Sequence, residues 1–570
     1  MSDYYKDDPH NKRKEYEAVR ASLMQDRSSF EAHWQELANF IKPRRTRWFA
    51  GDKNRGDKRN QKIIDSTATF CAETLRSGMH AGITSPARPW MRLTTPDPDL
   101  ADYGPVKEWL HTVTQRMLVI FLKSNLYNVL PTTYGDMGVF GTAAMAILDD
   151  DQDLFRAYSY PIGSYALGVN ARGVCDTFIR NYTMTIRQVV REFGVKPGTR
   201  EIDWSKLSQQ VKDQWDRSNY NETVEVSWIV TPNEDHDRSK MESKFLPFAS
   251  CWFEVGGKDD AFLREKGFNE FPILAPRWEV TGEDTYGTEC PGMLALGDTK
   301  QLQLGERRSM QAVEKMVNPP LQAPTSMRNQ KTSLLPGEVS YLDVTQGQQG
   351  IRPIHDMNFA VDKLDMKQSG VRERIRQAFY TDLFLMMAYS DRREITAREI
   401  EERHEEKLLA LGPVLERAKD ELHEPLIDRV YGMMERAGLI PEHPPELEGS
   451  DLKVEYLSIM AQAQKLVSVA GHERFLQGTT QLIAVYPEAR HKVDINQAID
   501  DYADMLGVNP KVIRPNDEAD ALVQSEREAA ARAQQSEVMA NASRSAKDLS
   551  QTDMAGDTAL SRIINGVQGS

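Results

Sequence analysis

Cysteine is scarce: the 570 residues contain four, Cys71, Cys175, Cys251 and Cys290. They are dispersed, with no CxxC pair and no histidine at ligand spacing, which excludes a zinc module and a disulfide framework and fits a reducing compartment. Long apolar runs are missing too. The run from Met117 to Leu122 is closed by Lys123 after six residues, whereas a bilayer span needs about 20, so no membrane association is expected. The start, MSDYYKDDPHNKRK, lacks the apolar core of a secretory signal, which argues against export on a cleaved leader. Positive charge is in deficit: 71 Lys and Arg against 85 Asp and Glu leave −14. That balance opposes a generic nucleic-acid coat, because phosphate neutralisation needs a net positive surface, and it confines any contact with DNA to local sites.

Catalytic signatures are also lacking. There is no GxxxxGK[ST] phosphate loop, no HExxH, no GxSxG and no GxGxxG after a strand. Glu401 and Glu405 stand one helical turn apart in the cluster Glu401, Glu402, His404, Glu405, Glu406. Among so many Arg and Lys this reads as a solvated helix face rather than a metal site. No enzyme activity, catalytic residue, metal or cofactor is expected.

What is present is the balance of a globular protein, 40% hydrophobic and 27% charged, in about three or four folding units at roughly 150 residues each. Tyr16, Val19, Leu23, Phe30, Trp34, Leu37 and Ile41 recur at helical spacing and predict a helix over 11–41, closed by Pro43. The most basic stretch of the chain follows, with Arg44, Arg45, Arg47, Lys53, Arg55, Lys58 and Arg59 interleaved with Trp48 and Phe49. It reads either as a solvated loop or as an anion or nucleic-acid contact. Helical patterns are expected over 63–78 and 106–122, and short β-rich runs from Phe155 on, including 177–183, 224–230 and 249–254, predict a mixed or antiparallel sheet.

Two long helices are predicted at 292–317, stopped by Pro319 and Pro320, and at 359–387. Between them lies an insert of Gln, Gly, Pro, Ser and Thr with strands expected at 339–344 and 351–354. A third helical stretch, 397–437, should bend at Pro413 and Pro425. A proline-rich link and further helix follow over 457–506. After Pro515 no aromatic residue occurs, which predicts a helical or partly disordered tail.

The order helix, strand-bearing insert, helix, bent helix, late helical region resembles bacteriophage portal proteins. More specific are two worded segments: Ile64-Asp65-Ser66-Thr67-Ala68 with Leu75-Arg76-Ser77-Gly78-Met79 and Ser85-Pro86-Ala87-Arg88-Pro89-Trp90, and Arg264 through Pro272 with Pro276-Arg277-Trp278 and Tyr286-Gly287. These look like the head-to-tail connectors of short-tailed phages, over roughly residues 10 to 510.

The resemblance implies a mainly helical α+β portal fold in a ring-shaped homo-oligomer of twelve. Its regions would be a wing over 1–291, a first stem helix over 292–318, a clip over 319–357 and a second stem helix over 358–387. A tunnel loop and bent wing helix would occupy 388–450, a crown 451–514, and a tail or helical barrel 515–570. The implied place is the portal vertex of a capsid, in a virion made in the host cytoplasm, and the implied role is DNA packaging and ejection. Implied partners are double-stranded DNA, terminase, the major capsid protein, scaffold and tail adaptors. Candidate channel residues are Tyr389, Arg392, Arg393, Lys363 and Lys367; candidate clip contacts are Val339, Tyr341 and Val344. A head-completion adaptor or internal capsid protein is the alternative of another class; a terminase or nuclease would need the phosphate loop or acidic metal site that the sequence lacks.

Overall fold

The computed structural model describes residues 9–52, 56–87, 89–97, 100, 103–196, 198, 200–257, 261–282, 284–323, 325, 328, 351–353, 361–389, 411–447, 452–456, 475–483, 485–486, 492, 497–499, 502 and 516–551. The chain divides into two compact units. The first comprises Met1–Leu93, Val113–Glu442 and Val454–Ser468; the second comprises Thr94–Thr112, His443–Lys453 and Val469–Ser570.

The first unit opens with helix α1 (Pro9–Phe40). Its predicted apolar stripe faces inward, with Trp34, Leu37 and the following Ile41 fully buried. Helix α2 (Thr67–Ile83) starts four residues later than expected, because the carboxylate of Asp65 takes the backbone N–H of Thr67 and holds 63–66 outside the helix. Helix α3 (Leu126–Phe140) was not expected at all. It contains Pro131, and all eight residues from Thr133 to Phe140 are buried, so it has no polar face for a periodicity to show.

Strands also begin earlier than composition suggests, at Met91–Thr94, which pairs with Lys453–Tyr456; the main sheets start with β1 (Ala144–Asp150), followed by β2 (Leu154–Tyr160). Then come β3 (Tyr165–Val169), β4 (Cys175–Thr185), β5 (Thr223–Pro232), β6 (Phe248–Glu254), β7 (Arg264–Phe268) and the two-residue β8 (Ile273–Leu274). Of the mixed and antiparallel alternatives the structure adopts the antiparallel one: β2-β1-β8 form a three-stranded sheet and β3-β4-β5-β6-β7 a five-stranded sheet. Helix α1 covers one face of the larger sheet, Tyr16 packing with Ile179, Ile229, Cys251 and Phe253. At the far end of β4 and β5, Ile186, Val189, Leu207, Val211 and Val226 close a second core.

Helix α4 (Pro291–Val317) agrees with the predicted span to one residue. The expected second helix is two: α5 (Val361–Ala378) and α6 (Thr381–Tyr389). The break is at Tyr380, whose φ of 52° is left-handed and cannot continue a right-handed helix. Between α4 and α5, Leu321–Gln322 pairs antiparallel with Arg352–Pro353, so a strand does occur within the predicted 351–354; the predicted strand at 339–344 lies outside the described residues. Helical residues 411–418 pass through a π turn, Lys419–His423, into α7 (Glu424–Arg436). Pro425 sits in the first turn of α7, where its missing N–H matters least, and the wide turn before it absorbs the irregularity.

His423 in that turn is fully enclosed. Its Nε2 lies 2.8 Å from the Tyr134 hydroxyl, which shares a 3.2 Å hydrogen bond with Thr84, which in turn meets His80 Nδ1 at 3.2 Å. Burial pushes the His423 imidazole down to about 3, so the folded protein keeps it neutral while the unfolded chain protonates it below about pH 6.5. Acid therefore favours unfolding, by about 2 kcal/mol at pH 5 relative to pH 7 from this group. Denaturant unfolding at the two pH values should show His423→Gln losing about 2 kcal/mol less than the parent on acidification; an equal loss in both would refute this origin.

In the second unit, Asn516–Gln551 forms one helix of 36 residues, about 54 Å at 1.5 Å per residue. Every residue from 521 to 544 is exposed, Leu522, Val523, Val538 and Met539 included.

Candidate functional site

The long helix α4 is rooted by close backbone contact. A Cβ on Gly292 would lie 2.3 Å from the carbonyl oxygen of Val139, and Cys290 donates its thiol to the same oxygen at 3.2 Å. Burial holds that thiol up at about 12, so Cys290 packs and does not react. Just before it, Gly287 crosses Gly141, the left-handed residue that ends α3; a Cβ on either would fall 2.1–2.3 Å from the other's carbonyl oxygen. The Gly287 N–H donates to Thr142 Oγ1 at 2.7 Å, and Tyr286 packs on Trp34 with ring centroids 5.1 Å apart. The Tyr286-Gly287 end of one worded segment is thus part of the socket of α4.

The other braces the helix pair. Gln303 of α4 accepts the backbone N–H groups of Ile64 and Asp65 at 2.6 and 2.8 Å and donates to the Asp65 carbonyl at 2.7 Å. Arg372 of α5 bonds Asp65 Oδ2 at 2.9 Å and also reaches Glu306 of α4. Burial raises the Asp65 carboxyl, but the bonds from Thr67 and Arg372 outweigh it and leave the group below the usual carboxylate range. Arg374 adds an exposed pair with Asp298 at 2.6 Å, and Gln368 donates to Ser309 at 2.9 Å. A loop far away in sequence therefore ties both long helices together.

Beyond the brace the helices are bare. The buried residues of α4 are Pro291 to Gln303 at intervals and then Ala312 alone, whereas Leu304, Met310, Val313, Met316 and Val317 are exposed, as are Leu364 and Met366 of α5. Lys363 and Lys367, one turn apart on α5, are exposed on the same helix. Tyr389 is the last residue of α6. Arg392, Arg393, Val339, Tyr341 and Val344 lie outside the described residues.

The basic segment is largely committed within the chain. Arg45 grips Asp136 of α3 through Nε at 2.9 and 3.1 Å and through a second nitrogen, and donates to Ser159 Oγ at 2.7 Å; Lys42 reaches the same carboxylate at 3.3 Å. Burial lowers the Arg45 guanidinium, but the Asp136 charge and hydrogen bonds more than reverse it. Arg59 pairs with Asp52, Arg47 donates to the Thr46 carbonyl at 2.8 Å and Arg44 to the Asp57 carbonyl at 3.4 Å. Lys58 is exposed; Lys53 and Arg55 lie outside the described residues. The pairing of Arg45 with a carboxylate 91 residues away has no signature in the sequence.

Among the described residues no group of three or more His, Cys, Asp or Glu side chains could hold a metal ion, and no helix is long and apolar enough to cross a membrane. The cluster Glu401–Glu406 lies outside those residues. What the geometry offers is a mechanical root, a braced helix pair and an uncovered apolar surface.

The portal protein of Salmonella phage epsilon15 is 47% identical over 546 residues, covering 96% of both chains. A "Probable portal protein" of Bordetella phage BPP-1 is 39% identical over 548 residues, covering 96% of this chain and 97% of its own. The family described as bacteriophage head to tail connecting protein matches residues 13–513. With that match spanning both worded segments, the α4 socket and the braced helix pair, the chain belongs to the bacteriophage head to tail connecting protein family.

Proposed function

We propose that this chain is the portal of a tailed, short-tailed-type phage: a ring of twelve copies at one capsid vertex through which DNA enters and leaves, and to which terminase and then tail adaptors dock. The observation that carries the reading is the match to two portal proteins over nearly their whole length. It favours the portal over an adaptor or internal capsid protein, and a structural connector over an enzyme. The uncovered faces of α4 and α5 support a ring, because apolar residues such as Met310, Val313 and Val317 gain their burial from a neighbouring copy in a closed cyclic assembly.

In this reading 1–291 is the wing, 292–318 and 358–387 the stem, 319–357 the clip, 388–450 the tunnel loop with the bent wing helix, 451–514 the crown and 515–570 the tail. Lys363, Lys367, Tyr389, Arg392 and Arg393 face the DNA, and Val339, Tyr341 and Val344 pair the clips of neighbouring subunits. Capsid protein and scaffold surround the ring in the host cytoplasm during assembly. Native mass spectrometry of the purified chain should give a particle of twelve times 64.8 kDa with an axial hole by electron microscopy. Monomer alone at micromolar concentration and in assembled capsids would overturn the proposal.

The tail helix belongs to this reading as a barrel or collar built against copies of itself. With no aromatic residue after Pro515 and every described side chain from 521 to 544 exposed, it has no core of its own. Truncation at Pro515 should leave ring mass, less the deleted residues, and the thermal unfolding midpoint of the remainder unchanged; loss of the ring would place the tail in the structural core.

A further inference from the structure

The basic segment encloses a pocket that the channel reading does not use. Its volume is about 310 Å³, and it is walled by Trp48, by the amides of Gln35 and Asn39 on α1, and by Lys58, Arg59 and Lys62. Among the described residues no carboxylate lines it. Asp52 stands behind the wall and fixes it, accepting the Trp48 N–H at 3.3 Å and pairing with Arg59. Burial raises the Asp52 carboxyl, but the Arg59 and Trp48 bonds and the nearby guanidinium charges bring it below its usual range, so it stays an anion and holds Arg59 in place.

That accounts for one of the three lining cations. Lys58 and Lys62 pair with no carboxylate among the described residues; Lys62 lies 6.0 Å from the centroid of the Phe40 ring. Burial lowers the Arg47 guanidinium, and the charges of Arg59 and Arg45 lower it further against the pull of Asp52. Two lysines without a carboxylate partner among the described residues, a pre-set guanidinium, amide donors and a concave wall make a receptor for an anion with several acceptor oxygens, and 310 Å³ is at the small end of ligand sites, about 300–1,000 Å³.

We propose that this pocket binds a phosphodiester of double-stranded DNA, as a backbone contact made without base readout and separate from the channel lysines. Two lysines engaging phosphates release about two counterions, which makes the contact salt-dependent and independent of sequence. In a chain whose charge is −14, such a site holds DNA locally while the rest of the surface repels it.

The test is fluorescence anisotropy of a fluorescein-labelled 20-base-pair duplex of mixed sequence with the full-length protein, in salt titration. Lys58→Glu with Lys62→Glu should weaken binding about tenfold or more and reduce the slope of log affinity against log salt by about 2. The same loss is expected when the pair is placed in a Lys363→Glu, Lys367→Glu background, which separates this pocket from the channel reading: absence of a ring would sink that reading and leave this one to be scored on binding alone. Lys58→Gln with Lys62→Gln gives a milder version should the charge reversal impair folding. Unchanged affinity and slope in both pairs would overturn the proposal. So would folded variants that no longer assemble, which would assign the pocket to carboxylates of a neighbouring copy.

Discussion

Asp136→Ala should destabilise the fold by about 3–5 kcal/mol, the range for removing one partner of a buried ion pair. The carboxylate is 2% exposed and is the shared anion of Arg45 and Lys42, whose side chains are 23% and 13% exposed. Without it two half-buried cations face each other across a gap that α3 cannot close. A Cβ on the adjacent Gly135 would lie 2.6 Å from Lys42 Nζ, so the lysine head lies directly over the helix backbone at that glycine. Asp136→Asn loses the charge, keeps one acceptor oxygen and turns the other into an NH2 donor facing the cations, and should cost about 1–3 kcal/mol. Arg45→Met in the Asp136→Ala background should recover part of the loss, since it removes an unpaired charge in place of adding one. Equilibrium denaturation at fixed chain concentration reads all three. A loss below about 1 kcal/mol for Asp136→Ala would show that the pair is not what joins the basic segment to α3.

Gly287→Ala is expected to cost about 3 kcal/mol or more, at or beyond the upper end of overpacking penalties. The methyl group would meet the Gly141 carbonyl oxygen at 2.1 Å, which is backbone and has no rotamer to change. That oxygen also accepts the Trp278 N–H at 2.8 Å, so pushing it away breaks a buried bond as well. Gly141→Ala should be as severe or worse, because its φ of 79° adds left-handed strain to a 2.3 Å contact with the Gly287 carbonyl. Thermal unfolding measures the loss. A Gly287→Ala protein that melts with the parent would refute the close crossing.

The sequence was most readable where one face is wet. The stripe from Tyr16 to Ile41 lies on a half-exposed helix, and α4 is bounded by prolines at both ends, so periodicity and breakers located both. Helix α3 was opaque for the opposite reason: burial on all sides erases the alternation, and Pro131 with glycines 135 and 138 counts against a helix on propensity alone. The break at Tyr380 is likewise tertiary. A Cβ on Gly78 of α2 would lie 2.2 Å from the Phe384 ring, so α6 is pressed into α2 at a position where only glycine fits, and the chain turns before it to get there. At the candidate site, the worded segments were visible as words. That Ile64-Asp65 is a strap across two helices, held by Gln303 and Arg372, depended on partners some 240 and 300 residues away.

The strap has a mechanical consequence. Because the bonds to the strap and to α5 end at Ser309, the outer end of α4 is a short cantilever: from Ser309 to Val317 the arm is about 12 Å at 1.5 Å per residue. A sideways load at its tip is balanced at the root, on the Gln303 and Arg372 bonds to residues 64 and 65. Those residues lead directly into α2, whose far end carries His80 and Thr84 toward the buried Tyr134 and His423. A load on the arm is therefore carried through the strap to the start of α2, where Thr69 donates to the Ile41 carbonyl at 3.0 Å.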